Sequence, residues 1–242
     1  MFWRKQKAAI ERFHPLHKTL TLEKAFSVSL RRDDWEPLIQ SLARHKDEIR
    51  RRKWRLHERV PLVVVPMVRI LMADMPPNGT LSVAVDMRGP HIAEKAGPQQ
   101  DLPSQRPISK LKQWFVHDPW LRMRAELRDG SVVDVAVIDR IRHRTYRKRN
   151  LRGKTKYKHK TKTVQTVQVT RRLPKDAQPQ RPPTRPPQRI AVQAKQGRRL
   201  AIRARAKWPE PHEDEHVLMR IMQVLTEPFR WTPPDPAVRR HA

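Results

Sequence analysis

The chain has 242 residues, a formal net charge of +29 and an apolar fraction of 37%, which is low for a globular domain. A surface of this charge repels itself, so we expect the protein to act in complex with nucleic acid or another polyanion. The absence of cysteine excludes a disulfide framework and a thiol nucleophile, and no apolar run reaches the ~18 residues of a membrane-spanning helix.

Residues 1–59 are predicted to form a basic helical region. Asp33 or Asp34 can cap a helix that has Pro37 in its first turn. The apolar residues that follow recur at three-, four- and seven-residue intervals, which predicts one apolar helix face. His14 and His17 are predicted to lie on the surface.

The predicted helix ends in the basic run Arg50–Arg55. Positive charge is favourable at a helix C-terminus and can also contact phosphate. We therefore count Arg51, Arg52 and Lys53 among the candidate nucleic-acid-binding residues.

Residues 60–173 are predicted to form an antiparallel β region. The run Val60–Leu71 is rich in β-branched residues and apolar apart from Arg69, and Leu81–Asp86 alternates between apolar and other residues. The Pro-Pro-Asn-Gly sequence at residues 76–79 is typical of a turn between two strands. The two prolines of the first run indicate an edge strand or a bulged strand.

A β-hairpin is predicted around Asp129-Gly130. A two-residue turn would place Asp134 among the apolar side chains of the opposite strand, whereas a three-residue loop would not. We therefore predict the three-residue loop, Arg128 to Gly130. That register pairs Leu121, Met123 and Ala125 with Val137, Val135 and Val133, respectively.

The same strand is predicted to continue into residues 140–162, here called the basic hairpin. This stretch holds twelve Lys or Arg residues and no Asp or Glu. Lysine occupies every second position from Lys154 to Lys162, and Arg140, Arg142 and Arg144 alternate in the same way. Residues of one strand face lie about 6.6–6.8 Å apart, which is comparable with the spacing of phosphates along a nucleic-acid strand.

The residues from Arg147 to Gly153 are predicted to form the tip of the basic hairpin. A two-stranded ribbon without an apolar face is marginal alone in water, so we expect it to bind a polyanion. The alternative is a solvated basic loop. The candidate nucleic-acid-binding residues of the basic hairpin are Arg140, Arg142, Arg144, Arg147, Lys148, Arg149, Arg152, Lys154, Lys156, Tyr157, Lys158, Lys160 and Lys162.

The C-terminal part divides into a linker and a small structured region. Residues 174–188 contain six prolines and are predicted to be an extended connection. Residues 189–242 are predicted to form a β-hairpin around Gln196-Gly197 and a helix from about His212 to Thr226, packed on the same sheet.

Two catalytic patterns are present, and both have weak contexts. His212, Glu213 and His216 fit the H-E-x-x-H pattern of zinc hydrolases, but the first histidine follows a proline and only His241 or Glu227 offers a third ligand. A metal-dependent nuclease is the other alternative, with its ligands on the predicted strands. Its candidate ligands are Asp86, Glu126, Asp134 and Asp139.

We therefore predict an α+β fold with N-terminal helices, a mainly antiparallel β-sheet with a long basic β-hairpin arm, and a C-terminal helix. The predicted function is non-catalytic nucleic-acid binding, without cofactor or metal, in a ribonucleoprotein assembly. RNA is favoured over DNA because Tyr146, Tyr157 and His159 can stack on exposed bases. DNA binding and a scaffold role in a large protein assembly are alternatives. We expect a cytoplasmic or other reducing intracellular location, and import into an organelle stays open.

Overall fold

The computed structural model describes residues 2–209 and 214–232. Its α-helices are α1 (Phe2–Arg12), α2 (Pro15–Leu22), α3 (Trp35–Ala43), α4 (His45–Glu48), α5 (Val65–Ala73) and α6 (Glu215–Phe229). Its strands are β1 (Ala25–Arg31), β2 (Thr80–Asp86), β3 (Gln100–Leu102), β4 (Ile108–Glu126), β5 (Val132–Arg149), β6 (Thr155–Arg172), β7 (Ile190–Lys195) and β8 (Ala201–Pro209).

The eight strands form one antiparallel sheet, which confirms the predicted α+β fold with N-terminal helices and a C-terminal helix. The strand order is β1-β2-β4-β5-β6-β8-β7, and β3 pairs with β4. Alternate residues of the central strands point into one core, which they share with α5 and α6. The other residues of those strands form the second side of the sheet, here called the outer face.

The predicted three-residue hairpin loop is confirmed. Leu121, Met123 and Ala125 pair with Val137, Val135 and Val133. Gly130 has a φ of +74°, which glycine adopts without steric cost. The Asp129 carboxylate accepts a hydrogen bond from the Ser131 N–H at 2.8 Å and so fixes the turn. This register turns Leu121, Met123 and Ala125 and their three valine partners toward the core.

The prediction of a strand at Val60–Leu71 is wrong, because this segment is helical. A π-helical turn, Val60–Val64, leads directly into α5. The buried residues are spaced by three or four, which a continuous apolar run does not reveal. Pro66 lies in the first turn of α5, where a missing N–H is tolerated. The buried residues are Val60, Val63, Val64, Met67, Val68 and Leu71.

The N-terminal region is also not wholly helical. Residues 25–31 form an edge strand paired with β2, and their alternation of Phe, Val and Leu with Ser and Arg was visible in the sequence. The long helix predicted after Asp34 ends at Ala43, and the run Arg50–Arg55 lies in a loop. His17, predicted at the surface, is fully buried.

The basic hairpin belongs to a three-stranded part of the sheet. The strands β5 and β6 pair without interruption from Val132↔Arg172 to Arg149↔Thr155. Strand β4 begins earlier than predicted and pairs with β5 as far as Ile108↔Lys148. The predicted two-stranded ribbon therefore has β4 along one edge. Its other edge, β6 from Thr155 to Thr163, lacks a neighbouring strand in the described structure.

The C-terminal strands join the same sheet. The strands β7 and β8 form an antiparallel pair, and β8 pairs with β6 from Val164↔Pro209 to Arg172↔Ala201. Helix α6 covers the core side of β6 and β8. Within residues 2–209 and 214–232, no helix is long and apolar enough to cross a membrane.

Candidate nucleic-acid interface

The outer face of the basic hairpin is lined by cations that face one another. In the β5–β6 register, Arg142 faces Lys162, Arg144 faces Lys160 and Lys148 faces Lys156. Like charges directly opposite each other destabilise an antiparallel pair. Neither residues 140–162 nor the adjoining residues 108–117 of β4 contain an Asp or Glu. The sheet therefore collects positive charge here without neutralising it locally.

Neighbouring side chains of β4 hold two of these cations in place. The Arg144 guanidinium donates a hydrogen bond from Nε to Gln113 Oε1 at 2.6 Å. The Arg140 guanidinium lies 4.0 Å from the centroid of the Phe115 ring. A hydrogen bond to an amide and a cation–π contact orient a guanidinium but leave its charge unpaired. Sequence reasoning missed both partners, because it began the strand at residue 120.

The tip of the basic hairpin is a tight turn at residues 150–154. The Asn150 side-chain Oδ1 accepts a hydrogen bond from the Lys154 N–H at 2.7 Å. Gly153 has a φ of +77°, and its carbonyl accepts a hydrogen bond from Arg149 Nε at 3.1 Å. Strand β5 thus runs farther than predicted, because the turn begins after Arg149.

A cleft of about 1230 Å³ lies between this tip and the start of β4. The lining residues that the structure describes include five cations and no carboxylate. Arg106 comes from the β4 side, and the sequence alone did not associate it with the tip. The cations are Arg106, Arg147, Lys148, Arg149 and Arg152.

The opposite face of the basic hairpin carries a row of aromatic rings. The Trp114 and His143 rings are 5.0 Å apart with 14° between their planes, and His143 and His159 are 5.4 Å apart and almost parallel. The His143 Nδ1 and His159 Nε2 atoms are 3.2 Å apart. Burial lowers the pKa of His143, and the charge of His159 lowers it further. The Tyr157 side chain on this face is exposed.

The three N-terminal candidate cations lie apart from the basic hairpin in the chain, on the loop that follows α4. The Arg51 N–H donates to Gln6 Oε1 of α1 at 3.2 Å, and its guanidinium lies 5.8 Å from the Trp54 ring centroid. Arg52 and Lys53 form an exposed 3₁₀ turn with Trp54. They therefore form a separate group of cations, in which Arg51 is bound to α1.

A buried ion network lies beside the base of the basic hairpin. Arg59 binds Asp139 at 3.0 Å and Asp214 at 2.7 Å, and its guanidinium lies 4.5 Å from the centre of the Trp120 ring. Burial raises the pKa of Asp139, although the charge of Arg59 opposes this rise.

Lys95 completes the buried ion network. Its ammonium group lies 2.7 Å from the Asp118 carboxylate and 3.0 Å from that of Asp86, and it also donates to the Gly89 carbonyl. Burial alone would raise the pKa of Asp86, but hydrogen bonds from Arg88 and Lys95 lower it to about 2. A cavity of about 200 Å³ lies among these side chains. Each of these carboxylates already has a cationic partner.

The four candidate ligands of a nuclease site do not come together. Asp86 and Asp139 line the small cavity, whereas Asp134 lies on the outer face and binds Arg172. The Glu126 carboxylate accepts a long hydrogen bond, 3.4 Å, from the Thr80 N–H. Among the residues that the structure describes, no group of three or more His, Asp or Glu side chains could hold a metal ion.

The candidate zinc motif lies only partly within the described residues. His212, Glu213 and His241 are outside them. The Glu227 carboxylate, the other candidate third ligand, binds the Arg230 guanidinium at 2.9 and 3.1 Å. Both of its carboxylate oxygens therefore accept hydrogen bonds from the residue that follows the helix.

No model of a protein family matches this chain, and no curated protein or solved structure does so either. The geometry and charge of the molecule are therefore the basis on which its function is inferred.

Proposed function

We propose that this protein is a non-catalytic RNA-binding protein and that the outer face of the basic hairpin contacts the phosphates. The proposal fits a structural component of a ribonucleoprotein, in which an extended basic element lies against folded RNA. Phosphate contacts provide affinity and register but little base specificity.

The cross-strand cation pairs carry the proposal. Arg142 opposite Lys162 and Arg144 opposite Lys160 repel each other, and no carboxylate lies within the basic hairpin. A bound polyanion would offset this repulsion, because each phosphate can attract cations from both strands. Counterion release would add to the affinity at low salt.

The aromatic face supports RNA as the polymer. Trp114, His143 and His159 present parallel rings on the side of the basic hairpin opposite the cations, and Tyr157 is exposed beside them. Exposed bases in RNA loops and bulges stack on such rings, whereas the bases of a duplex are already stacked. A hairpin with one cationic face and one aromatic face suits an irregular RNA that surrounds it.

The test replaces Lys156, Lys158 and Lys160 by Gln in the full chain. The slope of log K against log salt is negative, and each lost single-strand phosphate contact reduces its steepness by about 0.7, so we expect the steepness to fall by about 2. Fluorescence anisotropy with a labelled single-stranded RNA, measured over a series of salt concentrations, gives the slope. We also expect the affinity at low salt to fall by roughly 10- to 100-fold.

The matched control replaces Lys5, Lys7 and Lys46 by Gln. These three lysines are exposed on α1 and α4, so the control removes the same charge from a different surface. If both triple variants lower the slope equally, the effect reflects net charge and the basic hairpin is not the contact.

A comparison of polymers tests the choice of RNA. We expect the wild-type chain to bind a folded RNA stem-loop that contains a bulge more tightly than duplex DNA of the same length. Tighter binding of the duplex would instead favour a basic ribbon in the DNA major groove.

A further inference from the structure

The outer face of the sheet carries a second group of cations, on strands far apart in the sequence. The register places Arg122 of β4, Ala136 of β5, Gln168 of β6 and Arg205 of β8 in one row across the sheet. The two arginines are three strand spacings apart, or about 14 Å. They mark the two sides of a trough.

The sides of the trough are basic. On β8, Arg203, Arg205 and Lys207 occupy alternate positions, and all three are exposed. On β4, Arg122 and Arg124 occupy the corresponding alternate positions. Same-face residues of one strand are about 6.6–6.8 Å apart, so β8 repeats the spacing of the lysines in the basic hairpin.

The floor of the trough consists of short or uncharged side chains. Ala136, Thr166, Gln168 and Thr170 lie on β5 and β6 between the basic sides. A depression of about 450 Å³ opens beside β8, between Gln168 and the residues of β7. Because the floor residues are shorter than arginine, the guanidinium groups extend above the floor.

The basic sides of the trough are largely unneutralised. Asp134 lies on the floor, but Arg172 binds it directly, and its distance to Arg124 is 4.0 Å. Within the described ranges, no ion pair involves Arg122 or the three cations of β8. Arg205 has Gln168 on one neighbouring strand and Ala191 on the other, so no carboxylate faces it across the sheet.

The trough is continuous with the cationic face of the basic hairpin. Every second residue of β5, from Asp134 to Lys148, lies on the same face of the sheet. Fourteen residues of extended strand span about 48 Å. A strand of nucleic acid that lies on the basic hairpin can therefore follow β5 and β6 onto the sheet without crossing an edge.

We infer that the trough between β4 and β8 is a second contact site for the phosphodiester backbone of a single nucleic-acid strand. The identity of the polymer rests on the proposed function, but the residues and their test are independent of the basic hairpin. Arg203, Arg205 and Lys207 bind successive phosphates from one side, and Arg122 contacts the strand from the other. The floor offers no aromatic ring, so contact here is to phosphate and sugar.

The experiment uses the full chain with Arg203, Arg205 and Lys207 all replaced by Gln. Its binding to a labelled single-stranded RNA of about thirty nucleotides, long enough to span both surfaces, is measured over a salt series. We expect the log–log slope to fall by about 2, as for the triple variant of the basic hairpin. The combined six-residue variant should lose about 4, because the two sets contact different phosphates.

A charge-preserving variant separates contact from folding. Arg203→Lys with Arg205→Lys keeps the positive charge on the same strand, so we expect its salt slope to equal that of the wild type. The triple variant and this double variant should also have the same urea midpoint. A lowered midpoint in the triple variant alone would show that β8 needs its arginines for folding and would overturn the inference.

The outcomes distinguish the two proposals. If the trough variant behaves like the Lys5, Lys7 and Lys46 control while the hairpin variant loses slope, the trough is not a contact and the proposed function stands. If only the trough variant loses slope, the trough is the contact and the basic hairpin is not. The binding of the trough variant to poly-glutamate is measured in the same way. If this variant loses more affinity for poly-glutamate than for RNA, the trough binds an acidic protein and the inference is overturned.

Discussion

The buried ion network and the basic hairpin lie next to each other on β5, but the network pairs its cations with carboxylates and the basic hairpin does not. Asp139 points into the network and binds Arg59, whereas the next residue, Arg140, points to the outer face and packs on the Phe115 ring. In the network every cation touches a carboxylate. In the basic hairpin three cross-strand pairs consist of two cations each.

This difference shows that net charge alone does not locate a binding surface. Lys95 and Arg59 are cations as well, but their charges are compensated inside the protein and hidden from a ligand. A cation that faces another cation contributes no folding energy through that pair and remains available to a phosphate. The partner of each cation, and not the number of cations, separates structural charge from binding charge.

The largest expected effect comes from breaking the buried ion network. Arg59→Leu leaves Asp139, which is only 4% exposed, without its cation. Removing one member of a buried pair costs about 3–5 kcal/mol, because the remaining charge stays desolvated. Urea unfolding at moderate salt should show a free energy of unfolding reduced by this amount.

The control for this variant is Arg52→Gln, which removes an exposed cation from the neighbouring loop. We expect its free energy of unfolding to stay within about 0.5 kcal/mol of the wild type. If Arg59→Leu is equally harmless, the network does not hold the base of the hairpin.

The second prediction concerns stability at low pH and a chain of buried hydrogen bonds that includes two histidines. The His45 Nε2 accepts from the Leu56 N–H, so its Nδ1–H donates to His17 Nε2 at 2.8 Å. The His17 Nδ1–H then donates to Ser41 Oγ at 2.9 Å. Burial lowers the pKa of His17 to about 3, and the charge of His45 contributes.

The sign of the pH effect follows from this pKa. The unfolded ring binds a proton near its ordinary value of about 6.5, whereas the folded ring stays neutral until about 3, so stability is lost as the pH falls below about 6.5. Between neutral pH and a pH of about 4, the loss from this group is on the order of 3 kcal/mol. Urea unfolding at several pH values measures it.

The variant His17→Gln has no ring to titrate, so its stability should depend less steeply on pH over this interval. We expect it to be less stable than the wild type at neutral pH, because Ser41 and His45 lose their buried partner. An unchanged dependence on pH would mean that another group is responsible.

The smallest expected effect comes from a substitution that places a carboxylate within the basic hairpin. Lys160→Glu places a carboxylate opposite Arg144 and should raise stability by about 0.2–1 kcal/mol. Binding to RNA should weaken at the same time, because the new pair competes with phosphate. Lys158→Glu is the matched control, since Tyr146 and not a cation lies opposite. Equal gains in the two variants would argue against pairwise repulsion.

Much of the central meander could be predicted, because its signals are local. The alternation around Asp129-Gly130 specifies both the turn and the pairing of Met123 with Val135. The alternation of Phe26, Val28 and Leu30 carried the same information for β1, although a predicted helical region obscured it. Val60–Leu71 was ambiguous, since a continuous apolar run fits a buried strand or a helix.

The basic hairpin was visible in the sequence, whereas the trough was not. Charge and alternation within residues 140–162 are local features. Arg122 and Arg205 lie in one row of the outer face only because β4 and β8 flank β5 and β6 in the strand order. The contact of Arg59 with Asp139 likewise depends on the tertiary fold. The spacing of residues along the chain does not predict such long-range neighbours.

The length of the β5–β6 hairpin has a consequence for how long its backbone hydrogen bonds persist. At one end, Val133 to Val137 pack in the core, so their amide hydrogens should exchange with solvent only when the whole protein opens. At the other end, near Arg149 and Thr155, no core holds the strands together and exchange should proceed through local opening. A single pair of strands thus carries amides that exchange through global opening at one end and amides that exchange through local opening at the other, and we expect bound RNA to slow the local opening of the far end.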